Sequence, residues 1–128
     1  MRLLLDTCVF LWAVDEAENL SPAARQAIQD PANEIVFHQI SVLEIQIKHS
    51  LGKLALKTPP AEFIKKAESS LGTVRHTLDD AALSLLGNLP WIHSDPFDRV
   101  LVAHSIYHGL TLVTPDPDIH RYAARILW

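Results

Sequence analysis

The chain has 128 residues, 48% of them hydrophobic and 20% charged, with a formal net charge of -4. That is the size of one domain with enough apolar content to bury a core unaided, and the acidic balance gives it no general attraction for nucleic acid, whose binders usually carry a basic surface. A single cysteine, Cys8, excludes an internal disulfide and any cysteine-based zinc site.

The opening "MRLLLDTCVFLW" has some of the apolar character of a signal peptide, but Asp6 interrupts it and no small-residue cleavage site follows. No stretch reaches the roughly 18 apolar residues that a membrane span requires. The expectation is one soluble, cytoplasmic domain over residues 1–128 with no membrane partner.

In chain order, "RLLLD" reads as a short buried strand ending on Asp6, and "TCVFLWAV" as a helix. Ser21 and Pro22 start a second helix that runs to about Asp30. "EIVFH" is a second strand. "SVLEIQIKHSLGKL" is a helix with Val42, Ile45 and His49 on one face, stopped near Gly52. "TPPAEFIKKAESSLG" is a helix entered through Thr58 and Pro59, "TVRH" a weak third strand, and "DDAALSLLGNL" another helix. "DPFDRVLVAHSIYHG" is a helix closed by Gly109, with Asp95 as N-cap, Pro96 at the first helical position and Asp98 in the first turn. The strand "LTLVT", a short helix from Pro117 and an edge strand in "RILW" complete the chain. Strands separated by helices imply right-handed crossovers and a mainly parallel sheet with helices on both faces, a three-layer α/β fold.

In such a sheet the ligand crevice lies beyond the carboxyl ends of the strands, where strand order reverses. Two strands end on acids there, Asp6 and, just past "LTLVT", Asp116. Glu44 sits in a largely apolar helix beside Leu43, Ile45 and Ile47, where an unpaired acid is costly. Each has a plainer explanation: Asp116 precedes Pro117 as an N-cap would, and Glu44 suits a solvated helix position. Together, acids gathered in one crevice repel one another, and a divalent cation relieves the repulsion. An oxygen-only set suits Mg²⁺ or Mn²⁺. Such an ion serves hydrolysis of a phosphate ester, and its charge offsets the acidic balance of the chain.

The ordered segments "LLLDTCVFLW", "ISVLEIQIKHSLGKL", "HSDPFDRVLVAHSI" and "GLTLVTPDPDI" resemble the PIN-domain ribonucleases, and among them the VapC-type toxins of toxin-antitoxin pairs. The resemblance covers essentially the whole chain. It implies a five-stranded parallel sheet of order 3-2-1-4-5, an acidic quartet at Asp6, Glu44, Asp98 and Asp116, and a Mg²⁺- or Mn²⁺-dependent endoribonuclease. It also implies a cognate antitoxin and a homodimer as partners. Asp95 is then the cap and at most an auxiliary ligand. Thr7 and Thr114 match positions that hydrogen-bond the carboxylates or ordered water. Two residues depart from the family pattern: Cys8 replaces a common His, and Leu43 replaces a common Trp.

Three cations, Lys48, Lys53 and Arg99, flank the acidic segments as candidates to hold RNA backbone, Arg99 alternatively an antitoxin segment. The seven histidines show no zinc spacing; His104 and His108 are one turn apart without an evident third ligand and read as helix-face residues. Two alternatives remain open. One is a phosphatase with an aspartyl nucleophile, which would want an acid where Cys8 stands. The other is a non-catalytic metal- or partner-binding module of the same fold.

Overall fold

A computed structural model describes residues 1–128. Its centre is a five-stranded, wholly parallel sheet of order β3-β2-β1-β4-β5, formed by β1 (Arg2–Leu5), β2 (Glu34–His38), β3 (Val74–His76), β4 (Thr111–Val113) and β5 (Arg125–Leu127). Leu3, Leu4 and Leu5 are all fully buried. A central strand covered by helices on both faces needs a continuous apolar run rather than alternation, which is why "RLLL" forms one.

The pleat divides these residues between two cores. Leu3 and Leu5 join Ile35, Phe37 and Val113 on one face, under α1 (Thr7–Asp15), α2 (Pro22–Gln29) and α4 (Pro60–Leu71), with Phe10 stacked on Phe37 at 3.9 Å between ring centroids. Leu4, Val36 and Leu112 face the other way, against Leu101 and Val102 of α6 (Pro96–His108). Strand β1 pairs with β2 on one side and β4 on the other, so the order reverses at β1 and the crevice opens beyond Leu5 and Val113.

Helix α3 (Gln39–Ser50) begins two residues earlier than its sequence pattern predicts. The imidazole Nδ1 of His38 accepts the Ile40 amide at 2.9 Å, an N-cap that lets the helix leave β2 without a loop. Ile45 is buried on this helix, but Leu43 and Ile47 are 49% and 39% exposed, so only part of the apolar surround expected for Glu44 is core.

The single helix expected over "DDAALSLLGNL" is instead a short α5 (Asp80–Leu83) that tightens into a 3₁₀ turn, Ser84–Asn88. Ser84 Oγ donates to the Ala81 carbonyl at 2.6 Å, and such back-bonding favours departure from regular α geometry. The helix expected from Pro117 is one 3₁₀ turn, Ile119–Arg121. Helices α4 and α6 both end on a left-handed glycine, Gly72 and Gly109, at φ 64° and 66°. No helix is long and apolar enough to cross a membrane.

Candidate active site

Asp6 is where β1 gives way to α1. The chain turns there, the Asp6 side chain accepts the Thr7 amide at 2.7 Å, and its other oxygen accepts the Thr114 hydroxyl at 2.7 Å. Only 6% of the residue is exposed. Burial pushes the Asp6 carboxyl up to about 6; the two hydrogen bonds oppose this, and the charges of Glu44 and Asp116 reinforce it.

Glu44 enters from the second turn of α3 and is also buried. Thr7 Oγ1 donates to Glu44 Oε1 at 2.7 Å and lies 2.8 Å from Ser41 Oγ. Oε2 of Glu44 pairs with Lys48 one helical turn on. Desolvation works against the Lys48 ammonium, but the hydrogen bond and charge of Glu44, with Asp95 and Asp98 behind it, outweigh it and hold the lysine above its ordinary pKa.

The two acids at the start of α6 have different tasks. Asp95 Oδ1 accepts the amides of Phe97 and Asp98 at 2.9 and 3.2 Å, which makes it the N-cap. Asp98, one turn in, is buried, and its Oδ2 lies 3.1 Å from His93 Nε2, whose Nδ1 in turn meets the Tyr122 hydroxyl at 2.8 Å. Burial, then the charge of Asp6, pushes Asp98 up to about 7; the His93 contact pulls against that, and Asp95 and Asp116 add to it. Asp116 follows β4. Its amide donates to Thr114 Oγ1 at 3.1 Å, and its Oδ1 accepts the Asp118 amide at 2.8 Å in a turn ahead of the 3₁₀ turn, whose N-cap is Asp118 and not the Asp116 that its position before Pro117 predicts.

Asp6, Glu44, Asp98 and Asp116 thus arrive from four separate elements and line one cavity of about 380 Å³, with Asp95, Lys48 and Lys53 around it. Thr7 and Thr114 bond the carboxylates, the role the family resemblance implies for them. The donor set is all oxygen, and burial raises the carboxyl pKa values of Asp6 and Asp98, which is the chemistry of a site for a hard divalent cation. Cys8 Sγ also borders the cavity, 3.9 Å from Asp6 Oδ2, but burial, then Asp6 and Glu44, pushes its thiol up to about 12. It stays protonated and is no nucleophile.

Three contributors escaped sequence analysis: Ser41, His93 and Tyr122. His93 and Tyr122 lie in irregular segments, and nothing in their spacing to Asp98 signals contact. Arg99 is a correction of another kind. It is 3% exposed and does not line the acidic cavity. Its guanidinium donates to the carbonyls of Pro90 (2.8 Å), Leu86 (3.3 Å) and Leu89 (3.4 Å) and to the Tyr122 hydroxyl (3.0 Å), and it stacks 3.8 Å above the Trp91 ring. Arg99 pins the segment between α5 and α6 and is not free to hold RNA or an antitoxin. At about 1.5–3 kcal/mol for a charged hydrogen bond, Arg99→Ala should lower the unfolding free energy by about 3 kcal/mol in urea titrations, with the largest rise in amide exchange over residues 84–91.

Comparisons with known proteins show the family to which the chain belongs. A model of the PIN domain matches residues 3–125. The chain belongs to the PIN-domain family. The chain is 34% identical over 116 residues to "Ribonuclease VapC22" of Mycobacterium tuberculosis (strain ATCC 25618 / H37Rv), covering 89% of this chain and 86% of that protein. Among solved structures, VapBC2 from Rickettsia felis bound to a DNA fragment from their promoter superposes with a TM-score of 0.75 at 16% identity, covering 99% of this chain and 98% of that one. VapBC-1 from nontypeable Haemophilus influenzae gives a TM-score of 0.64 at 16% identity, covering 99% and 97%. The two structures share the PIN-domain fold with this chain.

Proposed function

We propose that this PIN-domain chain is a Mg²⁺- or Mn²⁺-dependent endoribonuclease of the VapC type, the toxin of a toxin-antitoxin pair. The observation that carries the reading is the convergence of Asp6, Glu44, Asp98 and Asp116 on one cavity at the carboxyl edge of the sheet. These four residues would hold the ion. When bound, the ion lowers the pKa of an attacking water and offsets the charge that grows on the phosphoryl oxygens.

The chain's own residues do the rest. Thr114 fixes Asp6, Thr7 fixes Glu44, and His93 fixes Asp98, so the carboxylates are oriented before any ligand arrives. Lys48 and Lys53, on the cavity wall, would face the phosphodiester backbone of a bound RNA. Attack by water rather than by the ribose 2′-OH leaves a 5′-phosphate and a 3′-OH. The protonated Cys8 and the absence of an acid at its position give the aspartyl-phosphatase alternative no support.

A cognate antitoxin is proposed as partner on the resemblance of the ordered acidic segments to the VapC-type toxins of toxin-antitoxin pairs. A homodimer is proposed as well. Leu43, Ile47 and Leu51, exposed at four-residue spacing along α3 and its C-cap, support a further apolar contact, and light scattering of the purified chain measures it.

The test of the reading is 5′-end mapping of total bacterial RNA after incubation with the purified chain in Mn²⁺ or in EDTA. Discrete new 5′-phosphate ends that require the metal are the expected result. No new ends from a folded chain that demonstrably binds Mn²⁺ would favour the non-catalytic binding module instead.

A further inference from the structure

The histidines that sequence spacing leaves unpartnered come together with an acid from another element. His104 and His108 lie one turn apart on the same face of α6, and Asp79, the N-cap of α5, is brought against them. Asp79 Oδ1 is committed to the Ala82 amide at 2.7 Å. Its Oδ2 is turned to the imidazoles, 2.8 Å from His108 Nε2 and 3.8 Å from His104 Nδ1. One ligand atom from each of the three residues lies within 4.8 Å of the other two. Zn²⁺ held at about 2.0–2.1 Å by nitrogen and oxygen needs tetrahedral ligands about 3.3 Å apart, so only small side-chain adjustments separate this cluster from a coordination shell.

We propose that Asp79, His104 and His108 form a second metal site, selective for Zn²⁺ over Mg²⁺, that ties the C-terminal half of α6 to α5. Imidazole nitrogen suits Zn²⁺ and is a poor ligand for Mg²⁺, whereas the all-oxygen quartet can take Mg²⁺. None of the three residues lines the acidic cavity.

An outer sphere is already built around the proposed ligands. His104 Nε2, the nitrogen away from Asp79, lies 3.0 Å from His76 Nδ1 at the end of β3, so a metal on Nδ1 leaves Nε2–H a partner that fixes the tautomer. His38, fully buried, packs edge-on to the same ring at 4.3 Å. His104 is almost fully buried, an environment that favours the neutral imidazole a metal binds. Asp79 supplies the negative charge. His108 and Asp79 have side chains 31% and 37% exposed, which leaves a path for entry and a position open to water as a fourth ligand.

The inference is independent of the nuclease reading. Its test starts from the whole chain stripped with EDTA and returned to a large excess of Mg²⁺, which competes with Zn²⁺ for the acidic cavity, with Asp6→Asn as the control for Zn²⁺ bound there. Calorimetric titration should then show one Zn²⁺ per chain and thermal melts a rise in Tm. Co²⁺ in its place should give the intense visible absorption of a four-coordinate ion. His108→Gln and Asp79→Asn should each weaken Zn²⁺ by about 100-fold or more, and His76→Gln by about 10-fold, the scale of losing an outer-sphere partner. Asn is a good N-cap, so Asp79→Asn keeps α5 and stays informative should His108→Gln fold poorly. Asp6→Asn should leave Zn²⁺ binding intact. The proposal is overturned by no Zn²⁺ uptake in excess Mg²⁺, by uptake that survives in both His108→Gln and Asp79→Asn, or by uptake lost in Asp6→Asn.

Discussion

Asp6→Asn and Asp98→Asn are each expected to lower RNA cleavage by about 10³-fold, whereas Asp95→Asn should cost less than about 10-fold. Metal-assisted stabilisation of a phosphoryl transition state amounts to several kcal/mol, and each 1.36 kcal/mol is a factor of ten in rate. Both Asp6 oxygens are already oriented, one by the Thr7 amide and one by the Thr114 hydroxyl, so an isosteric amide keeps the shape and removes the charge a cation needs. Asp98 differs from its neighbour three residues back in this respect. Asp95 spends an oxygen on the amides of Phe97 and Asp98, a task Asn performs as well as Asp. The measurement is the initial rate in Mn²⁺ on an RNA identified by end mapping, beside thermal melts that show each variant folded. Equal losses at residues 95 and 98 would make Asp95 a ligand and not merely a cap.

That contrast is half visible in the sequence. "DPFDRV" displays a cap and an acid one turn later, and the apolar run of β1 is strong enough on its own to place Asp6 at the mouth of the sheet, whereas Asp98 is placed there only by the resemblance to the PIN-domain ribonucleases. The parts played by Thr7 and Thr114 are likewise legible only through the family resemblance. What the sequence conceals is contact between segments without periodicity. The 3₁₀ stretch after α5 reads in sequence as a continuation of that helix, so the cage of carbonyls from Leu86, Leu89 and Pro90 around Arg99 is not legible, and Arg99 reads as a free surface cation. Asp79 is hidden for the same reason. Its meeting with His104 and His108 depends on how α5 docks on α6, and local spacing holds no record of that. His38 is a third case: an imidazole cap is rarer than a Ser or Asp cap, and the start of α3 is misplaced in consequence.

Without metal at pH 8, Asp6→Asn should be more stable than the unaltered chain by up to about 3 kcal/mol, and below pH 4 the two should be equally stable. The carboxyl of Asp6 is raised from 3.8 to about 6 by burial, roughly two units at 1.36 kcal/mol each. A folded-state pKa above the unfolded one means that the native chain holds its proton the more tightly. The associated stability is fully present below pH 3.8 and is lost as pH rises through about 6. Asn has no proton to lose, so the variant escapes the decline. His38 and His104 have the opposite sign, since their pKa values are pushed down to about 4 and 3, mainly by burial, and they cost stability as pH falls below about 6.5. They act in both proteins and cancel in the difference, which isolates Asp6. Mn²⁺ at a hundred times its Kd should then restore about 2.7 kcal/mol to the unaltered chain and much less to the variant, closing the gap at pH 8. Urea titrations at pH 4 and pH 8, with and without Mn²⁺, measure all four corners. An unaltered chain more stable than Asp6→Asn at pH 8 in EDTA would mean that Thr7 and Thr114 stabilise the carboxylate by more than its burial costs, and that the site needs no cation to hold its charge.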